Sequence, residues 1–229
     1  MSRAEDHSRK LGRPRAAQGV GGEDPRAEIL DAAAALFTKV GYTRTTTRQI
    51  AEAVGLRQGS LFHYFSRKQD ILEELLNSTI EPAIATATWL ETIEAPPEVK
   101  LFLLVEQDAT NLCSLPHNLG SLYFQPEIKS DDFASLWENR DKLRGMYLHL
   151  IEEAQAAGSF EVETPNEATD LVFGLVESVC TWYRTGERSP ADVGRAVAKA
   201  ALQTLLPSSA SVTRIEGLAE AQSGLSPVA

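Results

Sequence analysis

Twenty residues, Thr46 to Phe65, constrain this chain more than any other stretch. They read as two short helices around a glycine. Thr46 stands where an N-cap belongs and Gln49 follows three residues later, the reciprocal pattern of a capping box. The first helix is expected from Thr47 to Val54 and stops at Gly55, which permits the turn because it lacks a Cβ. The second is expected from Gln58 to Tyr64. Ile50, Ala51, Val54, Leu56, Leu61 and Phe65 supply a small core that fixes the angle between them. Helices joined in this way form a helix-turn-helix, whose second helix fits the DNA major groove with its N-terminal residues toward base edges.

The flanking sequence is helical as well. Asp24-Pro25 starts a helix as N-cap and first-turn proline, and Gly41 ends it. Between them Ile29, Ala33, Leu36, Phe37 and Val40 form one apolar stripe. Ser66 and Gln69 form a second capping box and open a helix through Ile71, Leu72, Leu75, Leu76 and Ile80, with a kink expected at Pro82 and continuation to Leu90. Further helices are expected at 98–114, 131–157, 166–184 and 190–206, each bounded by Pro or Gly. No segment alternates as a strand would, so the fold class is all-α. Residues 1–23, including Leu11-Gly-Arg-Pro-Arg15, read as a disordered basic arm, either a solubilising tail or a minor-groove arm. Residues 207–229 read as a flexible tail, with the pattern for a helical turn or two at 213–222.

The stretch TTRQIAEAVGLRQGSLFHYF at 46–65 closely resembles the signature of the TetR (tetracycline-repressor) family. Ala33, Leu36, Phe37, Gly41 and Tyr42 before it and Lys68 to Leu72 after it continue the pattern, so the likeness covers about residues 25–75. Beyond that window only the number and length of helices agree. The resemblance implies a DNA-binding domain at 24–72 and a helical effector-binding and dimerisation domain at 73–206. It places Thr47 and Arg48 on the DNA from the first helix of the motif, Arg48 being suited to guanine O6/N7. Gln58 and Ser60 would face bases, His63 and Tyr64 the backbone or thymine methyls, and Lys68 a phosphate. Three positions depart from the pattern. Phe62 replaces the usual Tyr, losing a hydroxyl contact worth about 1 kcal/mol, and Tyr64, where His is usual, offers one back. Arg57 stands where Ser often caps the recognition helix, a loss of about 0.5–2 kcal/mol. A cation there opposes the helix dipole unless a phosphate is near, which adds Arg57 to the expected DNA contacts.

By the same resemblance the later helices surround a ligand cavity, with Trp89, Phe102, His117, Tyr123, Phe124, Phe133, Trp137 and Tyr147 as candidates. Aromatic residues at helical spacing serve equally as plain core. The last two helices imply a four-helix dimer interface, with Leu171, Leu175, Val179, Trp182, Val193, Val197 and Ala200 as candidates. The function implied is a homodimeric repressor, released by a small-molecule effector from a near-palindromic double-stranded DNA operator. The alternative is a regulator without an effector, controlled by a protein partner or by abundance.

The formal net charge of −10 is at odds with DNA binding only until it is divided. Residues 1–70 hold 12 Lys/Arg against 8 Asp/Glu, and the remainder holds 10 against 24. Over a Debye length of about 10 Å the phosphates sense the local charge, not the total. Cys113 and Cys180 lie in apolar helical sequence and read as buried free thiols. No nucleophile–base pairing, phosphate loop or metal spacing is present, so neither enzymatic activity nor a cofactor is expected. No apolar run reaches membrane length and no signal peptide is evident, which points to the cytoplasm.

Overall fold

The computed structural model describes residues 24–207 and 211–223. The arm at 1–23 and residues 208–210 and 224–229 of the expected tail lie outside these. Among the described residues nine α-helices follow one another: α1 (Pro25–Val40), α2 (Thr47–Ala53), α3 (Gln58–Leu61), α4 (Lys68–Thr92), α5 (Pro97–Ser114), α6 (Ala134–Ala156), α7 (Pro165–Trp182), α8 (Pro190–Leu205) and α9 (Val212–Ser223). Among the described residues there is no strand, only an isolated bridge between Thr185 and Arg188. The fold is all-α: an N-terminal helix-turn-helix head carried on a helical body.

Local signals set most boundaries. Asp24 accepts the Arg26 N–H at 2.8 Å and Gly41, at φ 96°, ends α1. The helix-turn-helix core closes on α1 and α4, with Ile29, Phe37, Ile50, Ala51, Leu61, Phe65 and Leu72 buried. α4 is one helix across the expected domain boundary and continues through Pro82 to Thr92, so head and body share it. Its start differs from expectation. The N-cap is Arg67 rather than Ser66, and Asp70 rather than Gln69 accepts the cap N–H at 2.9 Å. A carboxylate in the first turn also meets the positive end of the helix dipole, which an amide does not.

The body is built around α5. Leu101 to Val105 are all buried, because α4, α6, α7, α8 and α9 cover this helix on every side. α8 lies closest, since a Cβ at Gly194 would overlap the Glu106 carbonyl and the Thr110 hydroxyl. The expectation of a loose tail fails at α9. Ile215 and Ala219 are buried, and ion pairs Lys199–Glu216 at 2.7 Å and Arg195–Glu220 at 2.8 Å hold the helix in place. Between α5 and α6 the chain forms 3-10 turns at Pro116–Phe124, Pro126–Lys129 and Asp131–Phe133. His117 and Asn118 there adopt φ 61° and 51°, a left-handed conformation uncommon outside glycine.

Candidate nucleic-acid interface and effector cavity

The helix-turn-helix is locked by its own polar residues. Gln49 Oε1 accepts the Thr46 N–H at 2.8 Å and Thr46 Oγ1 accepts the Gln49 N–H at 3.2 Å, completing the expected box. Gly55 turns at φ 68°, and the Leu56 N–H returns to the Ala51 carbonyl at 2.8 Å. α3 is shorter than expected, a single α turn with Phe62 to Tyr64 in a turn beyond it. The Gln58 amide donates to Thr47 Oγ1 at 2.9 Å, so two residues expected to contact DNA also bridge the two helices.

The other expected contact residues differ in placement. Arg48 is exposed and pairs with Glu52 at 2.7 Å, an i,i+4 bond that water screens and a DNA acceptor can replace. Arg57 is exposed at the uncapped start of α3, Ser60 is half-buried, and His63 is exposed. Phe62 and Tyr64 are also partly exposed on the same head.

Lys68 turns inward rather than toward a phosphate. Its Nζ donates to the carbonyls of Tyr42 at 2.7 Å and Thr45 at 2.8 Å and lies 4.1 Å over the Tyr42 ring. Partial burial lowers its pKa. The C-terminus of α1 and the turn after it present carbonyls that a cation satisfies, so Lys68 fixes the entry to α2. Lys68→Met is expected to lower the melting temperature and leave the salt dependence of DNA binding unchanged. A slope reduced by roughly two units per dimer would restore the phosphate contact. Arg26, which sequence reasoning missed, is a second positioning residue. It donates to the Tyr64 carbonyl at 2.8 Å, pairs with Glu74 at 2.9 Å and stacks 4.1 Å over Phe65.

In the body, α4, α5, α6 and α7 enclose a cavity of about 30 Å³, room for one or two waters. Tyr123 and Phe124 line it, together with Ile80, Leu143, Phe173 and Val176. The other expected pocket residues do not. Trp89 is half-buried on α4, while Phe102 and Phe133 are buried in the core. His117 bonds Asp31 on α1 at 2.9 Å, and Trp137 donates to the Ile128 carbonyl at 2.8 Å. Tyr147 is buried behind the cavity and donates its hydroxyl to Asp108 Oδ2 at 2.7 Å.

The polar groups at the cavity were not foreseen. They are Asp108, Thr79 and the Arg140–Glu177 pair, with three guanidinium contacts of 2.8–3.0 Å. Burial pushes the Asp108 carboxyl up from 3.8 to about 7, against the opposing Tyr147 hydrogen bond and with the Glu177 charge adding to the rise. A raised folded pKa means the stability this group contributes is complete below about pH 4 and is lost as pH rises through about 7. Asp108→Asn is therefore expected to raise stability at pH 8 by roughly 2–4 kcal/mol and to change it little at pH 4. Paired thermal melts at the two pH values check this; equal effects at both would place the charge elsewhere. Burial also pushes the Cys113 and Cys180 thiols up to about 11 and about 12, which leaves them unreactive.

The 3-10 segment joins cavity to head. Tyr123 donates to the Leu76 carbonyl at 2.9 Å and shares a 2.9 Å bond with Thr79 on α4. Farther along, Glu127 accepts from Thr43 in the turn before α2, and the Asp132 carbonyl accepts from Gln69 at 2.7 Å. On the outer face of α7, Leu171 is 65% and Trp182 48% exposed, with Leu175 half-buried between them. Ala200 is exposed on α8, whereas Val179, Val193 and Val197 are buried in the core.

Residues 29–75 match the model for bacterial regulatory proteins of the tetR family, and residues 94–205 match a tetracyclin repressor-like C-terminal domain. The chain is 28% identical to the HTH-type transcriptional repressor KstR2 of Rhodococcus jostii, over 81% of this chain and 91% of that protein. It is 30% identical to KstR2 of Mycolicibacterium smegmatis, over 70% and 80%. Its fold matches the crystal structure of Mycobacterium smegmatis AmtR with TM-score 0.74 and 35% identity, covering 94% of this chain and all of that one.

Proposed function

Because the chain belongs to the TetR family of bacterial regulatory proteins, we propose that it is a homodimeric, sequence-specific transcriptional repressor released from its operator by a small molecule. The observation that carries the reading is the helix-turn-helix, with Arg48, Arg57, Gln58, His63 and Tyr64 on its surface. The relatives are transcriptional regulators, not enzymes, and the KstR2 proteins are repressors. Among the described residues no helix is long and apolar enough to cross a membrane; the cytoplasmic location we propose follows from the DNA-binding role.

Effector control is favoured by the strapped geometry. A ligand that widens the cavity displaces Tyr123 and Phe124, and with them the segment that holds Asp31, Thr43 and Gln69 on the head. A coupling of about 1–3 kcal/mol changes operator affinity by 5–150-fold. Two recognition helices related by a two-fold axis require half-sites about 34–36 Å apart, or a multiple. Selection of bound genomic fragments is expected to recover an inverted repeat with that spacing. Recovery of unrelated fragments, or of a single unrepeated motif, would contradict the dimeric repressor.

A further inference from the structure

We infer, on the premise of effector control, that the cavity between α4, α5, α6 and α7 takes an amphipathic ammonium ion, a protonated amine on an apolar body. Three features of the lining point to it. Asp108 is buried at the cavity, and among the described residues only the Tyr147 hydroxyl bonds its carboxyl, at Oδ2. Arg140, the cation of the lining, is committed to Glu177 through Nε and Nη2 and lies 4.9 Å over the Phe173 ring. An anionic ligand would meet the Asp108 and Glu177 carboxyl groups and a guanidinium whose charge Glu177 already offsets, with Nη1 alone outside that pair, whereas a cation meets an available acceptor on Asp108. Aromatic rings complete the argument: Tyr123, Phe124 and Phe173 line the same space, and carboxylate with aromatic faces is the chemistry that attracts ammonium ions.

The apolar body has a place as well. Ile80, Leu143 and Val176 supply aliphatic wall. Phe124, 59% exposed, stands at the rim, and seating a chain larger than the present volume requires it to move outward.

The test uses the full chain and three probe series of equal length, butyl to octyl: alkylammonium ions, alcohols and carboxylates at matched ionic strength. The ammonium ions are expected to raise the melting temperature by roughly 3–5 °C at tenfold excess over Kd, with alcohols and carboxylates at least about tenfold weaker. Asp108→Asn is expected to keep a cooperative melt and lose the preference. Tyr147→Phe removes the hydrogen bond that holds the Asp108 pKa down, so it should move the onset of the preference to higher pH without abolishing it, and this comparison survives if the Asn variant fails to fold. An equal response to alcohols, a preference for carboxylates, or no response to any series would overturn the assignment. Operator affinity measured alongside separates the two readings. Ammonium ions that bind through Asp108 but leave operator affinity unchanged would support the site and contradict effector control. Specific operator binding with no ammonium response would overturn the site and leave the DNA-binding regulator standing.

Discussion

A protein carrying Leu171→Glu and Trp182→Glu is expected to stay folded, run as a monomer and lose operator affinity by at least about 10³-fold. Both side chains point away from their own protomer, at 65% and 48% exposure, so the charges enter water there and cost the fold little. On a two-fold face each substitution acts twice, because the same patch meets its own copy. Association would then bury four unpaired carboxylates in place of four apolar groups, and unpaired buried charge is strongly unfavourable. A monomer holds one half-site only, so its affinity falls toward the non-specific level. Sedimentation and DNA titration of the same sample check both parts. A variant that remains dimeric would place the interface elsewhere, and a monomer with undiminished operator affinity would remove the dimer from the account.

Arg48→Ala is the second large effect, about 1–3 kcal/mol per half-site and hence roughly 2–6 kcal/mol per dimer, with relaxed sequence preference. The structure makes this a clean experiment. Arg48 bonds Glu52 on the helix surface and supports no core residue, so its removal leaves the head intact. Glu52 pairs with the guanidinium on the helix surface, and the proposed guanine contact would replace that pair. Titration against operator and random DNA separates the possibilities. Equal weakening on both would make Arg48 a phosphate contact.

Where structure follows from neighbours in sequence, the chain is legible. The Asp24-Pro25 start and Gly41 stop of α1, the Thr46–Gln49 box and the Gly55 turn are short-range hydrogen bonds and backbone preferences, and they stand as read. What depends on distant partners was hidden. Lys68 turns inward because carbonyls 23 and 26 residues away need a donor. Asp108 meets Tyr147 across 39 residues, and Arg26 meets Glu74 across 48. No local pattern announces such pairs. On α7 the periodicity itself misled: eight residues advance a helix about 80° beyond two full turns. Val179 therefore rotates into the core while Leu171 stays out, and Trp182, three residues on, returns to the outer face. The Ser- and Ala-rich composition of the last twenty residues points to a tail with a helical turn or two at 213–222; the full length of α9 and its docking depend on distant partners, through the buried Ile215 and Ala219 and the ion pairs to Arg195 and Lys199.

The central claim, that this is a sequence-specific dimeric DNA-binding regulator, is tested most directly by fluorescence anisotropy. The purified protein is titrated onto DNA from upstream of its own gene and onto random DNA over a salt series, with operator recovered by fragment selection as a third duplex. Saturable binding at least about 10³-fold tighter than to random DNA, at two protomers per site, is the predicted result. Weak binding of equal strength on all three duplexes would contradict it and leave the helix-turn-helix a scaffold without a reader's role.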